Sequence, residues 1–208
     1  MDRAAIKALA TAMLQNKTSI AAIYFDEILD GFYSHSLVDA VPSMARRGVA
    51  DVVLTDTVAA YELPETWRAL DADYAYLENQ IRVPVYTSQE AWLKQQVPAA
   101  AANPSRVLLY SIDSGWLVEV SPVPSATGAH LFIPGTFYRG ALPAEGTPNF
   151  NEALALVYGL TLHIATEQSL SDIKADAQAG LLTQLGLLRS QYASERFAPT
   201  SLPPARDF

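Results

Sequence analysis

ALALVYGLTLHIAT, residues 153–166, carries no formal charge at neutral pH, and only Tyr158, His163 and two threonines in it are polar. Its length and composition predict a helix. A helix apolar all round must be covered on every side. Part of that cover is expected from other copies of the chain, which points toward assembly. Asn149 or Asn151 caps the start of this helix. Ser169 or Ser171 starts a second one, with Asp172 favourable in its first turn. There Leu170, Ile173, Ala177, Leu181, Leu185, Leu188 and Tyr192 recur at three-and-four spacing. Ala175, Ala179, Gly180 and Gly186 are small and permit close helix approach. Helices at 149–167 and 170–196 therefore predict a long C-terminal helical hairpin. Residues 198–208, containing TSLPPARDF, read as an extended tail.

Working toward the N-terminus, the pattern changes twice. Residues 106–112 and 116–120 read as a hairpin about the turn Asp113-Ser114-Gly115. Further strands are expected at 130–133 and 136–139. VVLTDTVAAYEL (52–63) is rich in β-branched residues and reads as strand. Before it, three helices are expected at 2–16, 19–33 and 43–51, the last with Pro42 at its first turn. The predicted fold is α+β, mainly α: a helical bundle with a small antiparallel β-sheet or hairpin insertion at about 52–140. Residues 1–197 are expected to form a single domain.

Composition narrows the function. Half of the 208 residues are hydrophobic, so a sizeable core is within reach, and there is no cysteine. That excludes a disulfide scaffold, thiolate metal sites and a cysteine nucleophile. The formal charge of −8 suits poorly the clustered Lys and Arg that duplex binding needs. No secretory signal is expected at the N-terminus. The apolar run at 153–166 is short of the roughly 20 residues a membrane span requires.

No motif for chemistry emerges. His35, His130 and His163 show no metal-ligand spacing, and His163 on the apolar helix reads best as a hydrogen-bonded core histidine. Ser171-Asp-Ile-Lys174 matches S-x-x-K without its companion motifs. Asp26, Glu27 and Asp30, and likewise Asp71 and Asp73, read as solvated faces. Trp67, Tyr74, Tyr76, Tyr86, Trp92 and Trp116 read as sheet core, with a ligand groove as the alternative. No catalytic residue, metal or cofactor is expected.

Taken in order, these parts resemble the head-to-tail adaptor proteins of tailed bacteriophages. The likeness is carried by the early helices ending near Arg47, by Tyr61-Glu62-Leu63-Pro64-Glu65-Thr66-Trp67, by the hairpin from Tyr110 running into Ser121-Pro122-Val123-Pro124, and by the two helices between Phe150 and Phe197. The resemblance implies a non-enzymatic virion protein at the head–tail junction. It would form a homo-oligomeric ring, typically of twelve, between the portal above and a tail or nozzle protein below. DNA would pass through without sequence-specific binding, and no membrane would be involved. Relatives dock on the portal through a C-terminal segment, here Phe197, Leu202, Pro203, Pro204 and Phe208. Leu156, Tyr158, Leu181, Leu185, Leu188 and Tyr192 are the expected subunit-packing residues. A different class stays open: a small monomeric hydrolase or carbohydrate-binding module using the aromatics and carboxylates of residues 61–92.

Overall fold

The computed structural model describes residues 1–15, 22–94, 103–113, 115–145 and 147–197, apart from the side chains at 22–23 and 194–197. In chain order the elements are α1 (Arg3–Met13), α2 (Ala22–Gly31), α3 (Leu37–Ala40), β1 (Arg46–Val53), β2 (Ala60–Glu62), β3 (Trp67–Leu70), β4 (Tyr74–Leu77) and β5 (Arg82–Tyr86). There follow α4 (Gln89–Leu93), β6 (Arg106–Ile112), β7 (Gly115–Ser121), β8 (His130–Phe137), α5 (Phe150–Glu167) and α6 (Ser171–Phe197). They divide into two compact units, each with its own core. Residues Met1–Ala45 and Arg139–Phe208 make a helical unit, and Arg46–Tyr138 make a sheet unit.

The helical unit is built around α5. Asn149 accepts the Glu152 amide at 2.8 Å and so starts the helix as expected. Ala153, Leu156, Val157, Leu160 and Ile164 are then buried. Their cover comes from the same chain: Ile6, Ala10 and Leu14 at α1, Phe25 and Leu29 on α2, and Leu181, Leu185 and Leu188 on α6. The expected cover by sibling subunits is thus corrected. Two chain ends and a central helix supply enough apolar surface to enclose α5. Helices α5 and α6 form the predicted hairpin, and Gly180 shows how closely they approach. A β-carbon there would lie 2.4 Å from the Tyr158 ring, so only glycine leaves room for it.

The early helices differ from expectation at one end. Beyond Gly31 the helical path passes through a π-helical turn at Phe32–Ser36 and continues to Ala40. Ser34 donates to the Asp30 carbonyl at 2.6 Å in that turn. The path stops at Val41, ahead of Pro42, whose ring disfavours helical backbone in the residue before it.

The third expected helix, 43–51, is absent. Pro42–Met44 form one 3₁₀ turn, and Arg46–Val53 form strand β1. The reason lies in the period. Ala50 and Val52 are buried while Val49, Asp51 and Val53 are exposed, an alternation that suits a half-buried strand. Gly48 and the β-branched valines weaken the helix further.

The fold class needs a larger correction. The described part is 44% helix and 26% strand, and its strands form one curled, eight-stranded mixed sheet. A mainly helical bundle carrying a small hairpin is not what the chain adopts. The sheet order is β1-β8-β4-β5-β6-β7-β2, with β3 pairing β8. The β6–β7 hairpin falls where it was expected, from Arg106↔Ser121 to Ile112↔Gly115. The strands that enlarge the sheet beyond the expected ones include β3 and β5, and β8 is continuous.

Prolines disguise β5 and the continuity of β8 in the sequence. Strand β5 is interrupted by Pro84, which stands opposite Tyr74 at the end of the β4 ladder, so a missing N–H is tolerated there. Strand β8 contains Pro134 and was expected as two pieces. Its whole length pairs β1 on one side. On the other side β4 pairs at Leu131 and Phe132 and β3 at Gly135–Phe137. Pro134 falls where one partner hands over to the other, and its carbonyl accepts the Asp71 amide at 3.1 Å. Helix α4 lies between β5 and β6, which run parallel, as a crossover connection allows.

Candidate functional site

The most developed polar site lies in the helical unit, where α5 begins. The N-cap of α5 fixes its first turn, which turns Glu152 inward, and its side chain is 7% exposed. Arg139, in the segment leading back from the sheet unit, meets it. Arg139 Nη1 donates to Glu152 Oε1 at 3.3 Å, and Nε donates to the Met44 carbonyl at 3.0 Å. Tyr192 on α6 donates its hydroxyl to the same Glu152 oxygen. Longer contacts of 3.5 Å join the guanidinium to the Tyr33 and Tyr192 hydroxyls, and it lies 5.4 Å from the Tyr33 ring centre.

The electrostatics follow from these contacts. Burial opposes the Arg139 charge, but the Tyr192 hydroxyl and the Glu152 carboxylate outweigh it and raise the guanidinium's pKa. Burial and the hydrogen bond to Glu152 push the Tyr192 phenol up from its ordinary value of 10.0. Tyr192 therefore stays a neutral donor at physiological pH. The cluster borders a cavity of about 370 Å³, also lined by Leu142, Pro143, Thr147 and Pro148. Such a site can present donors and a carboxylate to a bound segment.

Sequence reasoning marked Tyr192 as a packing residue and missed Arg139, Glu152 and Tyr33. One signal was available: Glu152 is the last charge before the uncharged run, three residues after a capping asparagine. Arg139 carried no comparable signal, because only the fold brings it to α5.

The other expected residues are placed as follows. Leu156, Leu181, Leu185 and Leu188 are buried in the helical unit's own core, with Tyr158 and Tyr192 packed half-buried against it. Phe197 ends α6. Its side chain, and Leu202, Pro203, Pro204 and Phe208, lie outside the described residues.

The histidines do not converge. His163 is a correction: it is exposed on α5 and pairs Glu167 at 3.3 Å, because the covered side of the helix does not include position 163. His35 meets Ser34 Oγ at 2.7 Å. His130 on β8 meets Asp51 at 2.7 Å and Glu78 at 3.8 Å. The hydrogen bond to Asp51 raises the His130 pKa above its ordinary 6.5, against partial desolvation.

The early carboxylates are not simply solvated. Asp26 pairs with Arg3 at 3.1 Å and with Lys7 at 3.0 Å, and Asp30 pairs with Arg3 and accepts the Leu142 amide at 3.0 Å. They tie α1 to α2 and to the segment before α5. Asp71 pairs loosely with Arg47 at 3.6 Å.

Of the aromatics, Trp67 and Trp92 are core, and Arg106 lies 4.4 Å over the Trp92 ring. Tyr76 stacks on Phe132 with ring centres 5.3 Å apart, and Arg82 lies 4.5 Å over Tyr74. These stand on the side of the sheet away from the core. Trp116 lines a second cavity of about 300 Å³ with Glu62, Leu63, Pro64 and Glu65. Among the described residues no three His, Asp or Glu side chains come together as a metal site, and no helix is long and apolar enough to cross a membrane. No protein-family model matches the chain, and no curated protein aligns with it.

Proposed function

We propose that the protein is a head-to-tail adaptor of a tailed bacteriophage, acting in the virion without catalysis. Its copies form a ring, a dodecamer, that extends the DNA channel beneath the portal and carries the tail or nozzle protein below. The observation that carries this reading is the ordered series of the Tyr61–Trp67 segment, the Arg106–Ser121 hairpin, the apolar α5 and the long α6. The acidic balance supports it, since a wall that repels phosphates lets DNA slide. So does the rod-like α6, 27 residues or about 40 Å long, from whose end residues 198–208 continue. Enclosure of α5 within one chain removes one argument for assembly and leaves these.

The test is electron microscopy of the purified protein mixed with the portal encoded alongside it. A ring seated on the portal is expected, and no ring in the mixture would overturn the reading. Deleting residues 198–208 should leave the helical circular dichroism unchanged and weaken portal attachment. Unchanged attachment would show that the tail is not the anchor.

A further inference from the structure

Strand β1 is an open edge of the sheet, and the hydrogen bonds beside it show which of its backbone groups face outward. Among the described residues only β8 pairs it, along its whole length from Arg46 to Val53. In an antiparallel ladder alternate residues aim their N–H and C=O at the partner, and the residues between aim them away. Leu54, just past β1, sets the phase. Its amide donates to the Ala129 carbonyl at 2.8 Å, and its carbonyl accepts the Gly128 amide at 2.9 Å. Leu54, Val52, Ala50 and Gly48 therefore face the β8 side. Pro134 agrees with this phase. It stands opposite Val49, has no N–H to give, and its carbonyl accepts the Asp71 amide on the far side. Arg47, Val49, Asp51 and Val53 thus turn their backbone groups out of the sheet, where no described residue meets them.

An edge of this kind is a template for another strand. Strand β2, at the opposite edge, is blunted by a length of three residues, whereas β1 runs for eight without a proline. Val49 and Val53 are 45% and 48% exposed, and the side chains of Arg47 and Asp51 are 66% and 50% exposed. The order of these residues selects the partner. Set antiparallel against itself with Val49 on a two-fold axis, β1 places Arg47 opposite Asp51 of the second copy, Val49 opposite Val49, and Asp51 opposite Arg47. All of these are outward-facing residues, so each pair exchanges both of its N–H···O bonds. Opposite charges facing one another across strands are favourable, and like charges are not. Moving the axis to Ala50 would set Arg47 against Val53 and Asp51 against Val49, and both charge pairs would be lost.

We infer that β1 is a docking edge for a second copy of this chain, joining the two sheets antiparallel across a two-fold axis at Val49. The existing contacts of its charges leave room for this. His130 takes Oδ1 of Asp51, Asp71 meets Arg47 loosely at 3.6 Å, and both side chains stay at least half exposed. The inference concerns the sheet unit alone and does not depend on the adaptor reading. A two-fold contact closes on itself, whereas a ring is built head to tail. Where both hold, the pair parts as the ring assembles.

Light scattering of the purified full-length protein, without any portal, should give a dimer. Asp51→Arg sets arginine against arginine on both sides of the axis and should weaken dimerisation by about tenfold or more. Adding Arg47→Asp restores opposite charges and should recover most of that loss, with circular dichroism confirming that both variants fold. The chain has no cysteine, so single cysteines report the register. Val49→Cys should oxidise to a disulfide-linked dimer, since α-carbons paired at the axis lie about 5.5 Å apart. Val53→Cys, equally exposed, should not, because the two copies of position 53 lie about 26 Å apart along the strands. A monomer, a larger open oligomer, a dimer indifferent to the charge exchange, or equal cross-linking at 49 and 53 would each overturn the assignment.

Discussion

At position 135 a β-carbon would lie 2.1 Å from the Trp67 ring, which is 1% exposed. Glycine there is what lets the indole lie flat on β8 in the core of the sheet. Gly135→Ala should destabilise the protein by about 1–3 kcal/mol, the usual cost of overpacking. The midpoint of urea unfolding measures it. His130 offers a test of a different kind. Its hydrogen bond to Asp51 raises its folded pKa above 6.5. A raised pKa contributes stability that is fully present below the unfolded value of 6.5 and is lost as pH rises through the folded one. Nuclear magnetic resonance titration should therefore find the His130 midpoint above 6.5, and Asp51→Asn should lower it. Both residues were visible in the sequence, but neither partner was. Trp67 and Gly135 are 68 positions apart, and Asp51 and His130 are 79 apart, so pairing waits on strand register.

Among the elements, the helices followed local rules most closely. Helix α5 starts at an asparagine cap and α1 at Asp2, which accepts the Ala5 amide at 2.8 Å. Asn149→Ala should cost about 1 kcal/mol, seen as a lower thermal midpoint. It should also loosen the first turn that presents Glu152, so the Arg139–Glu152–Tyr192 cluster would move with it. Strands were less legible. The β6–β7 hairpin announces itself by two strand-like apolar runs about a glycine turn, whereas β5 and β8 carry prolines that read as interruptions. Those prolines are harmless only because of where neighbouring strands begin and end, which is not a local property. The segment Arg46–Val53 shows the converse. Read as a helix, it takes the strand state because β8 pairs it along its whole length.

For the whole molecule, the division into units makes its own prediction. The helical unit contains both chain ends, and the Arg139 Nε bond to the Met44 carbonyl at 3.0 Å brings the two crossing points together. Replacing residues 46–138 by a short Gly-Ser linker should therefore leave a soluble, helical, cooperatively melting protein. A product without a cooperative transition in circular dichroism would show that the helical core is incomplete without the sheet. The make-up of the helical core supports the expected outcome, since α5 is enclosed by helices that lie outside residues 46–138.

Local chemistry along the chain was enough to mark the C-terminal helical hairpin and the central β-hairpin, because caps, turn residues and hydrophobic period act over a few neighbours. The extent of the sheet, the enclosure of α5 by its own chain and the meeting of Arg139, Glu152, Tyr33 and Tyr192 came only with folding. Each of these depends on strands or helices far apart in sequence finding a common register, and no short-range pattern encodes that.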